Sequence, residues 1–162
     1  MPQPVPKRKT AKVKVTRLSK EVKKKKPHPK YGTSKLEDYF AENFLNVLGV
    51  KYIRQYEAKE IGRFYDFKIE NGPILEINGS YWHGDKRIYE EKDLNSVQKK
   101  NIYIDNLKRR WAENNGIEIY YFWEKDIHEN PEQILLTLKE ILKNIKRKTR
   151  KINVIKCVFF YY

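Results

Sequence analysis

Residues 65–85 read YDFKIENGPILEINGSYWHGD. Across 62–70, Phe64, Asp66 and Lys68 alternate with Tyr65, Phe67 and Ile69, and this period of two predicts a strand. Asn71-Gly72 marks a hairpin turn that Pro73 lengthens, and ILEING (74–79) predicts the returning strand. Residues two apart on a strand share a face, so Asp66 goes with Phe64 and Lys68, and Glu76 with Ile74 and Asn78. If the hairpin pairs so that those faces coincide, Asp66 and Glu76 converge on one cation. Two carboxylates with water and a phosphate make an oxygen shell suited to Mg²⁺. Such an ion polarises a phosphate and activates water. The competing reading is a pair of solvent-facing strand acids. His83 stands just past the corner, between Trp82 and Gly84. An imidazole near a metal can take a proton from water or give one to a leaving group. An ordinary loop histidine with Trp82 packed beneath it is the alternative.

Outward from this hairpin, TSKLEDYFAENFLNVLG (33–49) predicts a helix whose Leu36, Phe40, Phe44, Val47 and Leu48 share a face. Ser34 and Glu37 have the spacing of a capping box, a role that competes with any catalytic use of Glu37. Residues 50–57 predict a strand, 96–114 a second helix stopped by Asn115-Gly116, and IEIYYFW (117–123) a strand apolar enough to be central. A last helix opens at Asn130-Pro131 and runs to about Ile145. The order α-β-β-β-α-β-α predicts an α/β domain, a short mixed central sheet flanked by helices. On the second helix Asn101 and Asp105 lie one turn apart. Asp105 is placed to orient the His83 imidazole, unless the two simply belong to a polar helix stripe.

Charge divides the chain into three parts. Of 162 residues with net charge +14, residues 1–30 hold 12 bases and one acid, and residues 143–162 hold 7 bases and no acid. The expected organisation is a flexible basic arm (1–30), a catalytic domain (31–145) and a basic C-terminal tail (146–162). Basic extensions on a slightly acidic core suit a polyanion, with Lys7, Arg8, Lys9, Lys12, Lys14, Arg17, Lys23, Lys24, Lys25 and Lys26 on phosphates. A solubilising tail or a localisation signal would use the same residues. The single Cys157 rules out a disulfide framework and a multi-cysteine zinc site, and a reducing, cytoplasmic setting is expected. No apolar run reaches membrane-spanning length, so no membrane partner is expected. The basic N-terminus lacks the apolar stretch of a secretory signal.

Taken together, TSKLED, RFYDFKI, ILEINGSYWH, NIYIDNLKRRW and GIEIYYFWEKDI resemble the very-short-patch-repair endonuclease superfamily of the PD-(D/E)xK, restriction-endonuclease-like fold. They look closest to its phage homing-endonuclease branch, over about residues 33–127. The resemblance implies a Mg²⁺-dependent endonuclease on double-stranded DNA, with Mn²⁺ able to substitute, as monomer or homodimer. It implies that Asp66 binds metal, His83 is the catalytic histidine, Glu37 lies near the metal waters, and Asp105 supports His83 with Asn101 one turn before. Glu76 and Asn78 look like the E-x-K element with Asn in place of Lys. The cysteines of the repair enzymes' zinc site are absent. Three rivals remain open: a mismatch- or lesion-directed repair nickase, a non-catalytic nucleic-acid-binding protein, and an RNA nuclease with the same chemistry.

Overall fold

The computed structural model describes residues 34–159, with side chains as far as 150. All of these belong to one unit, Tyr31–Tyr162. The expected basic arm, residues 1–30, lies outside the described residues.

Helix α1, Lys35–Phe40, continues into a π-helical turn, Ala41–Leu45. Strands β1 (Tyr52–Ala58), β2 (Arg63–Ile69) and β3 (Ile74–Asn78) follow as an antiparallel meander. Helix α2, Ser96–Asn114, crosses over to β4, Ile119–Trp123, which runs parallel to β3. A parallel neighbour requires such a crossover. The sheet order is β1-β2-β3-β4. The short α3 (Glu124–Glu129) and long α4 (Pro131–Phe159) close the fold.

One sheet face packs on α1 and α4 through Phe40, Phe44, Phe67, Leu75, Phe122 and Leu138. The other packs on α2 through Tyr65, Ile74 and Ala112, with Trp111 and Ile119 beside them. The expected α/β architecture, a mixed sheet between helices, is therefore present. Among the described residues no helix is long and apolar enough to cross a membrane.

Three expectations need correction. The strand 117–123 was expected at the centre, but β4 is an edge; β2 and β3 are the inner strands, and β3 is buried at all five positions. The apolarity of β4 comes from covering both faces: Tyr120 and Phe122 meet one core and Ile119 the other. Its five residues make a short edge. Next, α3 intervenes between the last strand and the last helix, so the order is α-β-β-β-α-β-α-α. Finally, the last helix does not stop near Ile145, where a tail was expected to begin; it runs to Phe159. No Gly or Pro follows Pro131, and Lys and Arg favour helix.

Candidate active site

The sheet is irregular where the site forms. In the β1–β2 ladder Arg54 pairs with Phe67 and Tyr56 with Tyr65, but Gln55 and Asp66 between them do not pair. Gln55 has φ +50°, the left-handed region that a side chain rarely enters. Tyr65 and Phe67, two residues apart, consequently pack into cores on opposite sides of the sheet. The period of two breaks at Asp66, so it does not simply share a face with Phe64 and Lys68 as the alternation predicts. The β2–β3 ladder also ends at Phe67–Leu75, one step short of Asp66 and Glu76. In its place the Asp66 carboxylate accepts the Ile77 N–H at 2.7 Å.

Glu76 is 3 % exposed. Its Oε2 accepts from Lys108 Nζ at 2.6 Å, while Oε1 is buried without a hydrogen-bond partner. Lys108 comes from α2 and is itself buried; its ammonium lies 4.8 Å from the Tyr65 ring centre. The Tyr65 hydroxyl donates to the Lys108 carbonyl at 2.7 Å, which fixes the helix on the sheet. Burial pushes Asp66 well above the carboxylate range, and repulsion from Glu76 and then Glu37 adds to it. Burial likewise raises Glu76 to about 7, although the Lys108 charge pulls it down.

Glu37 completes the capping box and also lines the cavity that holds Asp66. One oxygen accepts from the Ser34 N–H at 3.0 Å, and Ser34 Oγ in return accepts from the Glu37 N–H, completing the capping box. The other accepts from Gln55 Nε2 at 2.9 Å. The left-handed Gln55 thus aims Glu37 beside Asp66, and the two acids line the same cavity.

His83 Nδ1 lies 2.6 Å from Asp105 Oδ2. The loop that carries it is tied to α2 at two further points. Gln98 Nε2 donates to the Tyr81 carbonyl at 2.7 Å and Asn101 Nδ2 to the Trp82 carbonyl at 2.9 Å. Gln98, Asn101, Asp105 and Lys108 form a single stripe along that helix. Gly84 has φ +58°, and a Cβ there would press 2.7 Å from the Leu94 side chain, so this corner favours glycine. Arg87 bridges buried Asp85 and Asp126 at 2.7 Å each, locking the far side of the loop to α3. Those bonds hold Asp85 below the usual carboxylate range.

A cavity of about 650 Å³ brings together Glu37, Asp66, Glu76, His83, Lys108 and Glu124. Asp105 stands behind His83, outside that lining, and Asn101 holds the loop's main chain instead of facing the cavity. Sequence reasoning missed three residues. The i, i+4, i+7 spacing of Asn101, Asp105 and Lys108 would have pointed to the lysine. Glu124, whose Oε2 accepts the Ser80 N–H at 3.0 Å, follows the strand end. Gln55 carried no signal.

Among the described residues no group of three or more His, Cys, Asp or Glu side chains stands ready to hold a metal ion. The donors nonetheless fit a hard divalent cation. Asp66 and Glu76 offer buried carboxylate oxygens, and Glu76 Oε1 has nothing else to bind. Compared with known proteins, the chain matches no family model and no curated protein sequence.

Proposed function

We propose that the protein is a metal-dependent endonuclease hydrolysing phosphodiester bonds of double-stranded DNA, built on a restriction-endonuclease-like core. The observation that carries this reading is the meeting of Asp66, Glu76, Glu37 and His83 on one cavity. The run α-β-β-β-α-β, with the acids on β2 and β3, agrees with the order expected from the sequence pattern and is compatible with such a core. When bound by Asp66 and Glu76, Mg²⁺ or Mn²⁺ would supply positive charge at the scissile phosphate and make water more acidic. Asp105 holds the Nδ1 side of His83, which leaves Nε2 to take the proton of the attacking water. Lys108 balances the charge of Glu76, and Glu37 orders water beside Asp66. The lysines and arginines of 1–30 grip the phosphate backbone, which positions DNA more than it reads sequence. A cytoplasmic setting accords with this reading.

The test is relaxation and linearisation of plasmid DNA with Mg²⁺, against EDTA and Asp66→Ala as controls. Metal-dependent cutting that the variant loses supports the proposal; tight, salt-sensitive binding without cutting favours a binding protein on this fold. One observation favours a second reading, the mismatch- or lesion-directed nickase. Tyr81 and Trp82, beside His83, are 48 % and 57 % exposed and stack edge-on at 5.1 Å. Faster nicking of mismatched than of matched duplex would select it.

A further inference from the structure

His83 lines a second cavity, of about 520 Å³, and there Asp105 joins it. The size is that of a small-ligand site. Tyr121 and Trp123, two apart on β4, form an aromatic wall. Arg87 lies 5.8 Å from the Trp123 ring centre and holds it in place. Lys86 and Arg109 line the same cavity, and neither forms an ion pair among the described residues. Arg87, by contrast, is already committed to Asp85 and Asp126. Asn78 completes the lining. It is 4 % exposed, and its Oδ1 is buried with no hydrogen-bond partner.

An orphaned amide oxygen at this depth costs free energy that a ligand donor would restore. Two unpaired cations attract a phosphate, and an aromatic wall suits a base. An asparagine amide matches an edge with a donor beside an acceptor, the pattern adenine presents. We propose that this second cavity binds one nucleotide of the cut strand, next to the scissile phosphate. Lys86 and Arg109 take its phosphate, Tyr121 and Trp123 flank its base, and Asn78 hydrogen-bonds the base edge. His83 would then stand between the reacting phosphate and its neighbour, which fixes the strand's register across the acids. The inference rests on the endonuclease reading for its ligand, and on the cavity alone for its existence.

The experiment follows the indole N–H signals of Trp82, Trp111 and Trp123 by NMR in EDTA, where no cleavage intervenes. Each is assigned by a Trp→Phe variant. The probes are 2′-deoxyadenosine 5′-monophosphate, a short oligodeoxynucleotide and inorganic phosphate. Saturable shifts of Trp123 with both nucleotide probes, and none with phosphate alone, are expected. Arg109→Ala, an exposed change that spares folding, should weaken them about tenfold. Asn78→Leu should weaken them too, with the fold checked by circular dichroism. Shifts confined to Trp82 would place nucleotide in the first cavity only and overturn the proposal while leaving the endonuclease reading intact. A response to the mononucleotide but not the oligonucleotide would make the ligand a free nucleotide and overturn the strand register. If Trp123 responds to both although plasmid DNA is never cut, the subsite stands and the catalytic reading fails.

Discussion

Raising the pH should destabilise this protein when no divalent metal is present, and Glu76 supplies a share of the effect that can be sized. Burial lifts its pKa from 4.5 to about 7. The folded chain therefore holds a proton that the unfolded chain has released at any pH between those values. Stability falls wherever the folded state binds more protons, so it is greatest below about pH 4.5 for this group and is lost through pH 7. Between pH 5 and pH 8 the loss from Glu76 alone is roughly 2–3 kcal/mol, taking about 1.4 kcal/mol for each pH unit. Asp66, raised for the same reason, acts in the same direction. Asp85 has the opposite sign, but its lowered pKa confines its effect to more acid solution. Urea unfolding followed by circular dichroism in EDTA, at constant ionic strength, should show the midpoint falling by about 1–2 M over this interval. Glu76→Gln should remove the Glu76 share of the slope and leave that of Asp66, whatever it does to absolute stability through the lost charge opposite Lys108. Added Mg²⁺ at pH 8 should restore about 2–3 kcal/mol when present at a hundredfold its dissociation constant. A midpoint that stays level or rises from pH 5 to pH 8 in the unsubstituted protein would refute the buried, self-repelling acid pair.

Asp105→Asn should lower DNA cleavage by about 10²–10⁴ with duplex affinity unchanged, because His83 loses the carboxylate that fixes its ring; single-turnover rates beside a binding titration check it. Gln55→Gly should keep stability within about 1 kcal/mol of the original, since relief of the left-handed backbone offsets the lost bond to Glu37, yet cleavage should fall. Unchanged cleavage by that variant would show that Gln55 does not aim Glu37. Deleting residues 1–30 removes 12 bases and should weaken DNA binding and flatten its salt dependence; an equal salt slope would dismiss the arm as a phosphate grip.

Much of this architecture is legible in the sequence. Helix α2 spans 96–114 as its sequence pattern predicts and stops at Asn115-Gly116, and the hairpin forms around Asn71-Gly72. These features are set by residues within a turn of one another. The edge position of β4 was not legible, because apolarity reports how much of a strand is covered and not whether a neighbour pairs with it. The run of α4 past Ile145 was not legible either: its charge suggested a tail, although nothing in it breaks a helix. At the site, Glu37, Asp66, Glu76 and His83 could be named because each carries a titratable group. The flip at Gln55 and Asp66 could not, since the alternation in the sequence runs through it unbroken. Lys108 was hidden for another reason. The E-x-K resemblance would put a lysine two residues along the same strand, where Asn78 stands, whereas the ammonium beside Glu76 comes from a helix 32 residues later.

Several departures from ordinary folding rules gather at the site. Gln55 has a left-handed backbone, two ladders lapse at Asp66, Glu76 Oε1 and Asn78 Oδ1 lack partners, and two acids are buried against their own charge. All of them lie on the two cavities that His83 joins. Each costs stability, and apolar residues at Asp66 and Glu76 would remove much of that cost. Helix α2 counters it along one stripe: Lys108 meets Glu76, Asp105 meets His83, and Asn101 and Gln98 hold the loop's carbonyls. The sheet supplies unstable acids and the helix supplies their partners, so neither half of the site exists until the two are packed together. Strain gathered at Gln55, Asp66 and Glu76 supports the proposal that these two acids hold a cation.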